Sequence, residues 1–377
     1  MQEQKTQSEF EDIRPYHDNE VPEVVDRLFN NPVFNLLFKV ALKSAKPDWS
    51  SAEIMGRMKS LRRAETVDEF QSFLLAPVAG LIERTTEDLT YSGLENVSRD
   101  KNHLFISNHR DIVMDPTLIN YVLKTNGHGT TAIATGINLL NIGPVRDLMK
   151  LNKIVVVKRG INGGREKIGA MEIQSRFIQD YIRNRGSAWI AQSEGRAKDG
   201  NDLTNPALIK MLSYAGKKQG KSLTEALLEM NIIPVSISYE FDPLDVNKAQ
   251  EVFNKRTHGK HKKWFLEDFL SMRKGLFGYK GRVHIAFGEQ ITQIDSKQGV
   301  VADIDRQIIA NYRIWPTNEA AYGIVRDIPF SSWEESTAKF LDRREKVPAH
   351  LLGIFDEMYA NPVVNRIKYT CQNTSEA

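Results

Sequence analysis

The sequence predicts an α/β fold, a mostly parallel sheet flanked by helices, with a smaller helical domain ahead of the sheet and further helices behind it. Two observations carry this. Up to about residue 85, apolar side chains recur three and four apart, as in Val21, Val24, Val25, Leu28 and Phe29; beyond it, short β-branched or aromatic runs alternate with longer amphipathic ones. Those short runs are mainly apolar, which is how strands covered on both faces read. At 377 residues the chain exceeds what one hydrophobic core serves comfortably. The changes of period divide it into an N-terminal helical domain (1–85), an α/β domain (86–300) and a C-terminal helical extension packed on the latter (301–377).

In order along the chain, Pro22, Pro32, Pro47 and Pro77 punctuate the first helical segments, and the stretch from Asp48 to Glu53 reads as a helix start. The expected strands are HLFISN (103–108), TTAIAT (130–135), IVVVK (154–158), AWIAQS (188–193), IIPVSISYE (232–240) and RVHIAFG (282–288). Helices are expected from Pro116 to Lys124, Arg165 to Arg183, Pro206 to Lys217 and Ser222 to Met230. After about residue 300 helical spacing returns, clearest from Trp333 to Leu341 and from His350 to Tyr359. There is no internal repeat.

Composition narrows the class. Apolar residues at 41% and charged residues at 26% supply a core and exclude a disordered chain. The single cysteine, Cys371, excludes an internal disulfide and any cysteine zinc site. The first thirty residues lack the basic and apolar regions of a signal peptide. The longest apolar stretches, such as Pro32 to Ala45, carry Lys39 and Lys43 and stop short of a spanning helix. The expectation is a cytoplasmic protein, soluble or peripheral on the inner face of a membrane.

In a parallel sheet, ligands gather beyond the carboxyl ends of the strands, and four of those ends are unusually polar. Asn108-His109-Arg110-Asp111 follows the first run, with Asp115 and Pro116 shortly after. Lys158 and Arg159 end another, Ser193-Glu194-Gly195-Arg196 with Lys198 a third, and Tyr239, Glu240 and Asp242 a fourth. A histidine at a strand end with two carboxylates close by is how an oriented general base is built, although a histidine at a helix start reads the same way. Lys158, Arg159, Arg196 and Lys198 form two basic pairs beside glycines, suited to a phosphate-sized anion or to a solvated rim. A kinase loop is excluded because Pro116 stands where that pattern needs Asn, and a serine hydrolase because no G-x-S-x-G elbow is present. With no H-E-x-x-H and the remaining histidines scattered, no metal site is expected.

Together, Asn-His, the Lys-Arg strand end, Ser-Glu-Gly-Arg and a strand beginning Ile-Pro-Val resemble, over about residues 90–290, the four ordered blocks of the glycerolipid acyltransferases. The stretch containing Trp189, Ile190, Ala191, Ser193, Gly195, Arg196 and Lys198 is most similar to the soluble glycerol-3-phosphate acyltransferases. The resemblance implies that His109 is the base, oriented by a carboxylate, and that Lys158, Arg159, Glu194, Gly195, Arg196 and Lys198 surround the acceptor. It implies transfer of a fatty acyl group from acyl-CoA or acyl-carrier protein to a hydroxyl of glycerol 3-phosphate, with no covalent acyl-enzyme and no cofactor. Lysophosphatidate, the 1-acyl derivative, is the alternative acceptor. The acyl chain would need an apolar groove, for which Ile112, Val113, Met114, Leu139, Leu140 and Ile142 are candidates that read equally as plain core.

The family places four residues between its His and Asp; here there are five before Asp115 and one before Asp111. On a continuous helix at about 100° per residue, Asp111 lies about 200° round from His109 and Asp115 about 240°. Neither faces it, so a non-helical turn is expected to bring the pair together. Asp111 stands where Asp commonly caps a helix, which favours Asp115 as the partner.

Another class competes. Residues 255–282 hold nine basic and two acidic side chains, net +7, interleaved with aromatics, as a non-catalytic module docking on an anionic membrane or an acidic carrier protein would. Nothing points to nucleic acid.

Overall fold

The computed structural model of the chain describes residues 9–136, 142–157, 164–261, 267–331 and 334–374. Its first helices begin where side chains can satisfy their open backbone N–H groups. After α1 (Val21–Asn30), Asn31 accepts from Phe34 N to start α2 (Pro32–Ala45). Reciprocal pairs Ser50–Glu53 and Thr66–Glu69 start α3 (Ser51–Leu61) and α4 (Val67–Thr85), each cap being worth about 1 kcal/mol. Val21, Val25, Leu28, Trp49 and Phe70 form their shared core, which Leu151 joins from the far side.

Among the described residues the sheet has seven strands: β1 (Asp88–Ser92), β2 (Leu104–Ser107), β3 (Ala132–Thr135), β4 (Ile154–Val156), β5 (Ala188–Ala191), β6 (Ile232–Tyr239) and β7 (Arg282–Phe287), in the order β1-β7-β6-β2-β5-β3-β4. Every pairing is parallel except β6 with β7. Between the strands lie α5 (Met114–Thr125), α6 (Gly143–Leu151), α7 (Gly164–Asn184), α8 (Pro206–Lys218), α9 (Leu223–Leu228), α10 (Asp245–His258) and α11 (Glu267–Phe277). Alternate strand residues serve opposite layers: Ala188 and Ile190 belong to one core with Phe177 of α7 and Leu212 of α8, whereas Trp189 belongs to another with Leu118 of α5 and Leu81 of α4. After β7 come α12 (Lys297–Asn311), α13 (Pro316–Arg326), α14 (Glu335–Glu345) and α15 (Leu352–Thr374). The last three pack around Phe340, Phe355 and Tyr359, with Phe241 and Ala249 inserted among them.

The fold class is as expected, with three differences of detail. β1, reading Asp-Leu-Thr-Tyr-Ser, is not among the expected strands, because it is an edge strand with no buried residue and so carries no apolar run. β7 reverses direction, which an apolar run does not encode. The helix expected to end at Tyr359 runs on to Thr374, and Trp333 lies outside the described residues. No helix among the described residues is long and apolar enough to cross a membrane.

The register positions the site. Ser107 of β2 pairs with Ala191 of β5 on one side and with Val235 of β6 on the other, so the segments after β2 and β5 emerge together at the carboxyl edge.

Candidate active site

Asn108, fully buried, directly follows β2 with its side chain standing in for backbone. Its Nδ2 donates to Ile237 O at 2.9 Å and its Oδ1 accepts from Ile237 N at 2.8 Å, so β6 stays paired while the main chain turns out of the sheet. A backbone bond from Ala197 N to His109 O, at 2.8 Å, ties this exit to the one after β5.

His109 is the first residue of that turn. Its Nδ1 lies 2.8 Å from Asp115 Oδ2, and since a carboxylate only accepts, Nδ1 carries the hydrogen and Nε2 presents a lone pair. Residues 110–113 are not helical; α5 begins at Met114, and Asp115 sits in its first turn. The same Oδ2 accepts from Arg110 N at 2.6 Å and Asp111 N at 2.9 Å, while Oδ1 accepts from Tyr239 OH at 2.8 Å. Burial, reinforced by Asp115, holds the Tyr239 hydroxyl well above its ordinary pKa of 10, which keeps it a donor. Trp189 meets the His109 ring edge-on at 5.7 Å, and its own Nε1 donates to Ser107 Oγ at 2.9 Å.

Asp111 has a different task. Its Oδ1 accepts from Val113 N and Met114 N at 2.9 and 2.8 Å, capping the turn into α5. Burial, then the Asp115 charge, push its carboxyl above the usual range. Gly275 of α11 packs directly on it: a Cβ there would lie 1.9 Å from Asp111 Oδ2. Arg110 points the other way, its Nη2 2.7 Å from Asp202 Oδ2 as a buried ion pair set off the hydrogen-bonding direction, so that among the described residues Nε and Nη2 have no hydrogen-bond partner. Lys248 of α10, also buried, donates to Arg110 O at 2.7 Å and pairs with the Asp242 carboxylate, which braces the turn from behind.

The segment after β5 supplies the opposite wall. His109, Gln192, Ser193, Glu194, Gly195, Arg196, Ala197, Asn201, Asp202 and Leu203 line a cleft with about 330 Å³ of free space, part of it continuous with solvent. Gly195 adopts φ +82°, a left-handed conformation that favours glycine, in the turn between Glu194 and Arg196.

The six residues expected around the acceptor separate. Glu194, Gly195 and Arg196 share the cleft with His109. Lys198 does not line it: its ammonium pairs with Glu251 of α10, which also meets Lys255 at 3.1 Å. Burial alone would raise the Glu251 carboxyl, but these two cations hold it below the usual carboxylate range. Lys158 and Arg159 lie outside the described residues.

Much of the positive charge in 255–282 is also committed. Lys255 and Arg256 pair with Glu251 and Glu357, Arg282 pairs with Glu240, and Lys280 is wholly buried, its Nζ donating to Gly278 O at 2.8 Å. Burial pulls the Lys280 pKa down to about 8. Glu251, His261 and Glu267 bring possible ligand atoms within 4.8 Å of one another, yet the two lysines on Glu251 already supply the charge a cation would. Of the candidates for an acyl groove, Met114 is core, and Leu139 and Leu140 lie outside the described residues.

Tyr239, Gln192 and the Arg110–Asp202 pair are not among the expected site residues. Tyr239 has a sequence signal, as the polar end of an apolar strand. Gln192 has only its place between two motif residues. Pairing Arg110 with a residue 92 positions away has no local signal at all.

Residues 88–238 match the protein family described as Acyltransferase. No curated protein matches the chain. Among solved structures, the crystal structure of the 1-acyl-sn-glycerophosphate (LPA) acyltransferase PlsC from Thermotoga maritima is similar to this chain. The two share 14% identity at a TM-score of 0.41, over 73% of this chain and 93% of that one.

Proposed function

From the match of residues 88–238 to the Acyltransferase family, we propose that the chain moves a fatty acyl group from an acyl thioester, on CoA or a carrier protein, to a hydroxyl of glycerol 3-phosphate. One observation carries the reading: His109 gives Nδ1–H to a carboxylate held by three further donors and lines a cleft that also contains Arg196.

In this mechanism His109 Nε2 accepts the proton of the acceptor hydroxyl as its oxygen attacks the thioester carbonyl. The negative Asp115 stabilises the imidazolium. Collapse of the tetrahedral intermediate breaks the carbon–sulfur bond, and the imidazolium returns its proton to the departing thiolate. A base so placed contributes roughly 10²- to 10⁴-fold, and no serine or cysteine nucleophile is needed.

Among the described residues Arg196 forms no ion pair, and it is the cation in the cleft. It is assigned the acceptor phosphate, with Lys158 and Arg159 as partners by motif position and Lys198 in support through Glu251. Arg196→Ala is expected to raise the Michaelis constant for glycerol 3-phosphate roughly ten- to a hundred-fold, the equivalent of removing a charge-assisted hydrogen bond of about 1.5–3 kcal/mol, with a smaller change in turnover. Steady-state thiol release with varied acceptor measures this; an unchanged acceptor dependence removes Arg196 from the phosphate site. A non-catalytic anion-binding module would release no thiol under any of these conditions.

Association with an anionic membrane surface is a further part of the reading. It is supported by the outward Phe269, Leu270 and Phe277 of α11 beside exposed Arg273 and Lys274. Sedimentation with anionic vesicles is expected at low salt and to fall as salt rises, since screening shortens to about 8 Å at 0.15 M. Binding indifferent to salt, or none at low salt, returns this face to a solvated role.

A further inference from the structure

Gln192 is the first residue beyond β5, and its backbone is fixed at both ends. Its N–H donates to Ser107 O at 2.8 Å, continuing the β2–β5 ladder, and its carbonyl accepts from Asn205 N at 2.9 Å. The residue is only 2% exposed and lines the cleft together with His109 and Arg196. Yet its side-chain Oε1 has no hydrogen-bond partner among the described residues.

Buried amide oxygens are nearly always hydrogen-bonded, because leaving one without a donor forfeits the water it gave up on folding. An unpaired amide at the wall of a binding cleft therefore asks what the ligand offers it. Apart from the pantetheine N–H groups of the acyl donor, which the test below separates, the groups that acyl transfer brings to this cleft are few. An ionised phosphate and a thioester carbonyl are acceptors only and cannot satisfy Oε1. The hydroxyl that reacts is committed to His109 Nε2. A second hydroxyl on the acceptor fits: once the amide turns about its last bond to bring Oε1 from its buried position to the cleft, the hydroxyl can donate to Oε1 and, because a primary amide also carries two N–H donors, accept in return.

We infer that Gln192 binds the non-reacting hydroxyl of the acceptor, making the cleft selective for a phosphorylated diol over an acceptor with one free hydroxyl, such as the monoacylated derivative. This rests on the acyl-transfer reading and sharpens it. Gln192 is thereby a specificity-determining residue, and its contribution depends on which acceptor is offered.

The test compares kcat/KM for glycerol 3-phosphate with those for 2-hydroxypropyl phosphate and 3-hydroxypropyl phosphate, each of which lacks one of the two hydroxyls. Wild-type protein is expected to favour the diol at least tenfold over the better of the two analogues, because a site that hydrogen-bonds a hydroxyl discriminates against ligands without it. Gln192→Leu is expected to lose at least tenfold on the diol and to stay within about twofold on that analogue, so that the preference collapses. Gln192→Met, closer in shape to glutamine, serves if the leucine variant folds poorly, with melting temperature as the check. Equal losses on diol and analogue would overturn the assignment, by turning the amide toward the pantetheine N–H groups of the acyl donor or giving it a purely structural role, and would leave acyl transfer standing. So would a wild-type protein that does not distinguish the acceptors. No thiol release with any acceptor would instead remove the acyl-transfer reading, and this inference with it.

Discussion

Alanine in place of His109 is expected to lower acyl-transfer turnover by 10²- to 10⁴-fold while the melting temperature stays near that of the parent protein. Both halves follow from the geometry. Of His109, Asp115 and Tyr239, the imidazole is the one that lines the cleft, since Asp115 is committed on both oxygens and Tyr239 donates to it. Its removal does not orphan the buried carboxylate: Oδ2 keeps the Arg110 and Asp111 N–H groups and Oδ1 keeps Tyr239. From the core the substitution takes away one aromatic edge against Trp189. Steady-state thiol release and thermal denaturation on the same preparation check the two expectations, and a fall in turnover of less than tenfold would withdraw the base assignment.

The second large effect separates the two nearby aspartates. Asp115→Asn keeps an oxygen for the two backbone N–H groups and an amide for Tyr239, whose hydroxyl can rotate to accept. The fold is therefore expected to hold. What disappears is the negative charge that stabilises the imidazolium, and turnover is expected to fall about a hundred-fold or more. Asp111→Asn meets a different environment. Its role is to cap the turn into α5 through Oδ1, and Asn caps about as well as Asp. Burial already favours the uncharged form of that side chain, so a neutral amide costs it little. Turnover within about threefold of the parent is expected for Asp111→Asn. The reverse ranking, at equal thermal stability, would transfer the orienting role to Asp111.

These two residues also mark how far the sequence can be read. Six of the seven strands announce themselves as apolar runs, because each is buried, and the carboxyl-edge rule then points to the polar residues after β2 and β5. If His109 pairs with either aspartate, helical geometry requires a break between residues 110 and 116, and α5 does begin only at Met114. What stays illegible depends on neighbours brought in by the fold. Lys198 reads as a phosphate ligand until α10 swings Glu251 beside it. The net charge of +7 in 255–282 counts Lys280, which is buried, and Arg256 and Arg282, whose partners lie 101 and 42 residues away. Strand direction at β7 and the exposed edge strand β1 leave no mark in hydrophobic pattern, because neither depends on which residues are apolar. Tyr239 stands out as the polar end of an apolar strand, but its partner does not; only the register of β6 against β2 brings its hydroxyl to Asp115.

The amide of Asn108 affects how mutational data on this protein should be read. Because it both gives and takes a hydrogen bond with Ile237, an aspartate of the same shape would set a carboxylate oxygen against the Ile237 carbonyl and repel it. Asn108→Asp and Asn108→Ala would therefore silence the enzyme without touching a proton or a phosphate, by releasing the strand end from which His109 emerges. A screen scored on activity alone would place Asn108 beside His109 among the reacting groups. Scored on melting temperature as well, the two positions part company: one variant is inactive and as stable as the parent, the other is inactive because the edge of its sheet has come undone.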